Sequence, residues 1–246
     1  MRAVVSLAVL GLVWASPAPA QESARAVLER AIVAHGGHEK LARNRAERVK
    51  LKGTMQVGAA AVPFTNELTV QLPRQYKSVV TIEKDQRTHT IVHLLDGEKA
   101  VILIDGQSQP VSGVHLAQLR QTLQLEQAMR LVPLLSDPGF AVLSLGEKRY
   151  NDQVYAGVRV SGKSQRDLVM YFDQRSGLLV KTEHALDGPS GKDVQQEAYY
   201  GDYRDVNGYR RPGKVIVFRD GKKVMEVELI EAQHCDRIDP VEFTRP

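Results

Sequence analysis

Residues 157–164, Gly-Val-Arg-Val-Ser-Gly-Lys-Ser, are the stretch whose types and spacing come nearest to a chemical device. In a phosphate-binding loop the glycines let backbone amides cradle phosphate oxygens, while the lysine and the hydroxyl reach the outer phosphates and a metal ion. Such a loop follows a strand and opens a helix. Here Val154, Ala156, Val158 and Val160 alternate as a strand through the pattern itself, and residues 166–173 read as the next strand. Gly162, Lys163 and Ser164 are therefore expected at a hairpin tip, without a nucleotide.

The other reactive side chains do not converge. His35, His38 and Glu39 lie together at a helix end, where solvated histidines are ordinary. His89 and His93 share one face of a strand about 13 Å apart, too far for one ion. Zinc needs three or four convergent ligands, so no metal is expected. There is no Gly-x-Ser-x-Gly elbow, and Ser190 falls in a Gly-Pro-Ser-Gly turn. Asp202, Asp205, Glu226 and Glu228 read as strand-surface carboxylates. Tyr199, Tyr200, Tyr203 and Tyr209 read as packing aromatics with hydroxyls at the rim. Cys235 is the only cysteine, so no internal disulfide can form; it is expected as a small, partly buried residue. Catalysis needs a convergent constellation, and none can be assembled. The chain is not expected to be an enzyme, and no cofactor is expected.

The elements around these residues suggest export and a sheet. Arg2, the apolar residues 3–15 and Ala18-Pro19-Ala20 have the layout of a cleavable signal peptide over residues 1–20. The apolar run is shorter than the roughly 20 residues of a membrane span. Residues 21–246 are expected as a single domain, exported, soluble and monomeric. The net charge of +4 is interspersed along the chain, with no basic stripe of the kind nucleic acid requires.

Helical spacing of Ala24, Val27, Leu28, Ala31, Ile32 and His35 predicts a helix over 22–35, closed by Gly36-Gly37, with a further turn over 38–43. Strands are predicted over 47–57, 62–72, 75–83, 88–95 and 100–104. After a helical interruption over 114–132 they resume at 140–145, 154–161, 168–172, 178–184, 194–203, 214–219 and 224–232. Asp-Gly and Asn-Gly pairs mark several of the turns. Regular strands without alternating helices predict an antiparallel meander and exclude a parallel sheet. In the central helix Leu116, Leu119 and Leu123 fall on one side, and Leu125, Ala128, Met129 and Val132 on nearly the opposite side. Such a helix is either kinked near Gln124 or apolar on two faces.

Several segments resemble the LolA/LolB-like superfamily, and more closely its outer-membrane lipoprotein-sorting proteins. They are Ala34-His35-Gly36-Gly37-His38-Glu39-Lys40-Leu41 with Val49-Lys50-Leu51-Lys52-Gly53; Tyr171-Phe172-Asp173 with residues 176–181; residues 200–209, Tyr-Gly-Asp-Tyr-Arg-Asp-Val-Asn-Gly-Tyr, with Pro212; and residues 239–246. These are strand and turn signatures, and none is catalytic. The resemblance implies a mainly β (α+β) fold: a strongly curved antiparallel sheet forming an unclosed half-barrel of about eleven strands. An N-terminal and a central helix would cover its concave face. It implies a periplasmic, chaperone-like carrier of lipid or lipoprotein acyl chains. Its partners would be an inner-membrane transporter and an outer-membrane acceptor. On this resemblance and the strand alternation, the apolar cavity is expected at Leu51, Met55, Val70, Val80, Leu116, Leu119, Leu123, Val158, Met170 and Val180, with the central helix as its lid. The alternative is a periplasmic interaction or sensor module on the same fold, which moves no lipid. A carrier predicts a large continuous apolar cavity; an interaction module predicts a filled concave face and an exposed apolar patch outside it.

Overall fold

The computed structural model describes residues 22–150, 152–162, 166–188 and 192–244. The leader over 1–20 and the expected positions of Lys163, Ser164 and Ser190 lie outside the described residues. Two short helices begin the chain, α1 (Ala24–Ala34) and α2 (His38–Arg43). Ser23 caps α1, its Oγ accepting from the Ala26 amide at 3.2 Å.

Six strands follow: β1 (Ala46–Val57), β2 (Ala60–Gln71), β3 (Gln75–Lys84), β4 (Arg87–Asp96), β5 (Lys99–Ile104) and β6 (Gln107–Gln109). Next come α3 (Gly113–Met129) and α4 (Pro133–Ser136). Strands resume with β7 (Phe140–Tyr150), β8 (Gln153–Gly162), β9 (Leu168–Asp173), β10 (Leu179–Asp187) and β11 (Asp193–Gly201). A two-stranded ribbon, β12 (Arg204–Val206) and β13 (Tyr209–Arg211), precedes β14 (Lys214–Arg219) and β15 (Lys222–Cys235). A 3₁₀ turn, Pro240–Phe243, ends the described chain.

Thirteen strands form one antiparallel sheet in the order β6-β5-β4-β3-β2-β1-β15-β14-β11-β10-β9-β8-β7. It is large, curved and not closed into a barrel, a half-barrel with more strands than the expected eleven. The expected continuous meander is corrected to two meanders sewn together at the centre, where β1 pairs with β15. The reason is topological. The first meander ends at one edge strand, β6, and the second starts at the other, β7. The connection must cross from edge to edge, and α3, about 25 Å long at 1.5 Å per residue, is that crosspiece.

The same geometry settles the two-faced helix. α3 runs unbroken from Gly113 through Gln124 to Met129. Leu119 and Leu123, with Leu116 beside them, pack on Val49, Leu68, Val70, Tyr76 and Leu95 of the first half and on Leu229 of β15 at the seam. Ala128, Leu125 and Met129 join α1, α4 and strands β8 to β10 in the core of the second half. Each apolar side of the helix thus serves a different half of the sheet. At Leu131, in the left-handed region with φ 62°, the chain turns out of α3.

Residues 157–162 of the phosphate-loop pattern lie in β8, which pairs antiparallel with β9 as the alternation required. The next element among the described residues is β9 and not the helix that a phosphate cradle opens.

Candidate functional site

The first core, beneath the N-terminal half of α3, brings together five of the residues expected to line the cavity: Leu51, Val70, Leu116, Leu119 and Leu123. Val158 and Met170 sit in the second core, and neither has exposed surface. Met55 and Val80 belong to a third apolar cluster with Val62, Phe64 and Ile82, built from strands alone. Val180 is the residue skipped where β10 bulges against β9, and it is half-buried. The ten residues therefore divide among several surroundings, because the two faces of α3 fill most of the concavity.

Between α3 and the sheet remains a partly open cavity of about 210 Å³. This is below the 300–1,000 Å³ usual for small-molecule sites. Most of its wall is apolar, with Val49, Leu51, Leu68, Met129 and Leu229 among the lining residues, and one side is charged. Glu47, fully buried at the start of β1, accepts from Arg130 at 2.5 Å and from both terminal nitrogens of Arg211. His234 of β15 lies 3.7 Å from the same carboxylate, donates from Nδ1 to Asn44 Oδ1 over 2.9 Å, and stacks on Tyr209 with centroids 3.7 Å apart. Glu126 of α3 approaches Arg130 at 4.0 Å. One carboxylate thus ties β1 to the C-terminal end of α3, to the ribbon and to β15.

The electrostatics follow from burial and neighbours. Burial alone would push the Glu47 carboxyl up. The two guanidiniums outweigh it and hold Glu47 well below the usual carboxylate range. Glu126 is pushed up by burial, with Glu47 adding to the shift and Arg130 opposing it. His234 is pushed down to about 4, chiefly by burial; Arg211 and Arg130 act in the same direction, and Glu47 opposes them. His35, His93 and His184 are also lowered, each chiefly by burial.

These shifts give a pH prediction. A histidine lowered in the fold is neutral there while the unfolded chain takes up a proton. Stability present above about pH 6.5 is then lost as pH falls toward the folded value, about 4 for His234. Glu126, raised in the fold, contributes in the opposite sense, its share growing as pH falls. Urea midpoints at about pH 7, 6 and 5 are expected to fall in that order. His234→Asn should remove about 1–3 kcal/mol of that dependence. An unchanged slope in this variant would show that His234 is not the titrating group.

Four of the segments quoted for the resemblance, residues 34–41, 49–53, 176–181 and 200–209, contribute to this site. The ribbon turn Asn207-Gly208 has both residues at positive φ and presses onto the corner between α1 and α2. The Arg210 amide donates to the His35 carbonyl at 3.1 Å, and the Tyr209 hydroxyl to the Lys40 carbonyl at 3.2 Å. Tyr203 donates to the Leu179 carbonyl at 2.6 Å and meets the His35 ring edge-on. His35 is thus a structural residue of this corner. Among the described residues, no group of three or more histidines, cysteines or acids could hold a metal ion.

Sequence reasoning did not single out Glu47, Arg130 or Arg211. A signal for Glu47 was available: it shares strand parity with Val49 and Leu51, so alternation places a carboxylate on the core face of β1.

No family model matches the sequence, and no curated protein matches it. Solved structures do. A LolA superfamily protein from Nitrosomonas europaea aligns over 91% of this chain and 98% of its own, at TM-score 0.57 and 14% identity. The fold is LolA-like. A putative outer membrane lipoprotein-sorting protein domain from Vibrio parahaemolyticus matches this LolA-like sheet at TM-score 0.54 and 10% identity, over 89% of this chain and 97% of that one. A DUF1329 family protein from Desulfovibrio piger does so at 0.53 and 10%, over 89% and 96%. At these identities the likeness speaks for the LolA-like fold alone. No helix among the described residues is long and apolar enough to cross a membrane.

Proposed function

We propose that residues 21–246 form a periplasmic carrier that holds acyl chains of lipids or lipoproteins against the concave face of the sheet and moves them toward the outer membrane. This reading assigns the chain no catalytic role. The observation that carries it is the seating of α3. The helix crosses the concavity without being part of the sheet, and its end is held by the Arg130–Glu47 ion pair. The strand-only cluster around Met55 and Val80 continues the apolar face beyond it.

The energies suit exchange of helix for ligand. Full burial of a leucine or methionine is worth about 1.5–3 kcal/mol. Lifting Leu116, Leu119, Leu123, Leu125 and Met129, some of them half-buried, therefore costs on the order of 10 kcal/mol. An acyl chain of roughly 14 carbons returns about 0.8 kcal/mol per CH₂, about 11 kcal/mol. The two nearly cancel, so loading would be reversible, as a carrier requires.

Arg130→Met is expected to release the C-terminal end of α3 and to speed uptake of a fluorescent fatty acid by about tenfold. Stopped-flow mixing measures it. Unchanged uptake would mean that α3 is not the gate.

A second reading is favoured by one observation: α3 fills most of the concave face, as an interaction or sensor module predicts. Native mass spectrometry of the mature protein from a bacterial periplasm separates the two. Co-purified lipid or lipoprotein supports the carrier. A clean apo mass with no fatty-acid uptake supports the module.

A further inference from the structure

An open cleft of about 640 Å³ runs along the flank of α3, from Ala117 to Gln127. Its walls come from both halves of the sheet. Pro73, Arg74, Gly97 and Glu98 line it from the turns of the first half, and Arg166 and Asp187 from the second. The volume is in the range of ligand sites, unlike that of the cavity between α3 and the sheet.

The three arginines of the cleft differ in their commitments. Arg166 is saturated, bound to Asp187 and, at 2.6 Å, to Asp193. Arg120 of α3 meets only Glu98, at 3.3 Å, and the Glu98 side chain is 86% exposed. Such an exposed pair is worth about 0–1 kcal/mol and gives way readily. Arg74 forms no ion pair among the described residues, yet its place is defined. A Cβ on Gly97 would lie 2.6 Å from Arg74 Nη2, so the missing side chain is what lets the guanidinium lie there. Two guanidiniums, one free and one loosely paired, therefore flank the same cleft. Their planar forks match the oxygens of a phosphate.

The floor is of another kind. Leu95 and Leu123 line the cleft and are also members of the first-half core that α3 covers. A ligand with its anionic end on the arginines has an apolar seam directly beneath it.

We infer that this cleft binds the phosphate-bearing headgroup of an amphiphile, at Arg74 and Arg120, while its acyl chains enter between α3 and the first half of the sheet. The inference rests on the carrier reading and adds a class of cargo to it, anionic phospholipid or a phosphorylated lipid.

Isothermal titration with three ligands tests it: short-chain phosphatidylglycerol, diacylglycerol of the same chains, and glycerol 3-phosphate. The phospholipid is expected to bind at least about tenfold more tightly than the diacylglycerol. Arg74→Ser with Arg120→Ser should erase that difference and leave diacylglycerol affinity and the unfolding midpoint unchanged, since both side chains are exposed. Equal affinities for the two lipids in the unaltered protein would overturn the headgroup site and leave the carrier reading standing. Binding of glycerol 3-phosphate but of neither lipid would make the cleft a site for free phosphate compounds and overturn both. Binding of none of the three would likewise overturn both.

Discussion

Glu47→Gln is expected to lower the unfolding free energy by about 3–5 kcal/mol, the usual loss when one partner of a buried ion pair is removed. The size follows from what is left behind. Arg130 and Arg211 converge on this carboxylate, their side chains being 7% and 19% exposed. With glutamine in place of Glu47 both positive charges stay desolvated without a counter-charge. Glu126, at 4.0 Å from Arg130 and pushed toward its neutral form by burial, is a poor substitute. For a chain of this size the melting temperature should fall by about 10 °C. Equilibrium unfolding in urea measures the change. Converting Glu47, Arg130 and Arg211 together to apolar residues of similar volume should recover much of the loss, since the desolvation of all three charges disappears with them. A loss below about 1 kcal/mol for Glu47→Gln would show that water reaches the cluster and that it does not clamp α3.

Gly36→Ala is expected to lower the unfolding free energy by about 3 kcal/mol. Gly36 has φ 129°, and a Cβ there would lie 2.5 Å from the Gly208 carbonyl oxygen. Backbone meets backbone at this point, so no side chain can rotate away. The ribbon would have to retreat, and the ribbon carries Arg211 to Glu47. Gly37 provides the control. It too has positive φ, 89°, but a Cβ there meets open space. Gly37→Ala should thus show backbone strain alone, about 1–2 kcal/mol. A difference of about 1–2 kcal/mol between the two variants measures the close approach. Equal losses would mean that Gly36 serves only for its backbone angle.

Local pattern made much of the fold legible in the sequence. Val49, Leu51 and their alternating neighbours predict β1, and the 3.6-residue spacing from Ala24 to Ile32 predicts α1. The leucines of α3 announce two apolar faces before any partner is known. The absence of a strand-to-helix turn removes the phosphate loop. Each of these signals repeats within a few residues, so composition and period suffice to read it.

Partnership was decided only by the tertiary structure. That β1 pairs with β15, that α3 spans from the β6 edge to the β7 edge, and that its two faces divide between two cores depend on contacts between distant parts of the chain. So does the charged cluster. Arg130 and Arg211 stand 83 and 164 residues from Glu47 in sequence. Alternation could place Glu47 inward, and burial then demanded a counter-charge. Which arginines answer that demand is set by how the two meanders close around α3, and no local period records it.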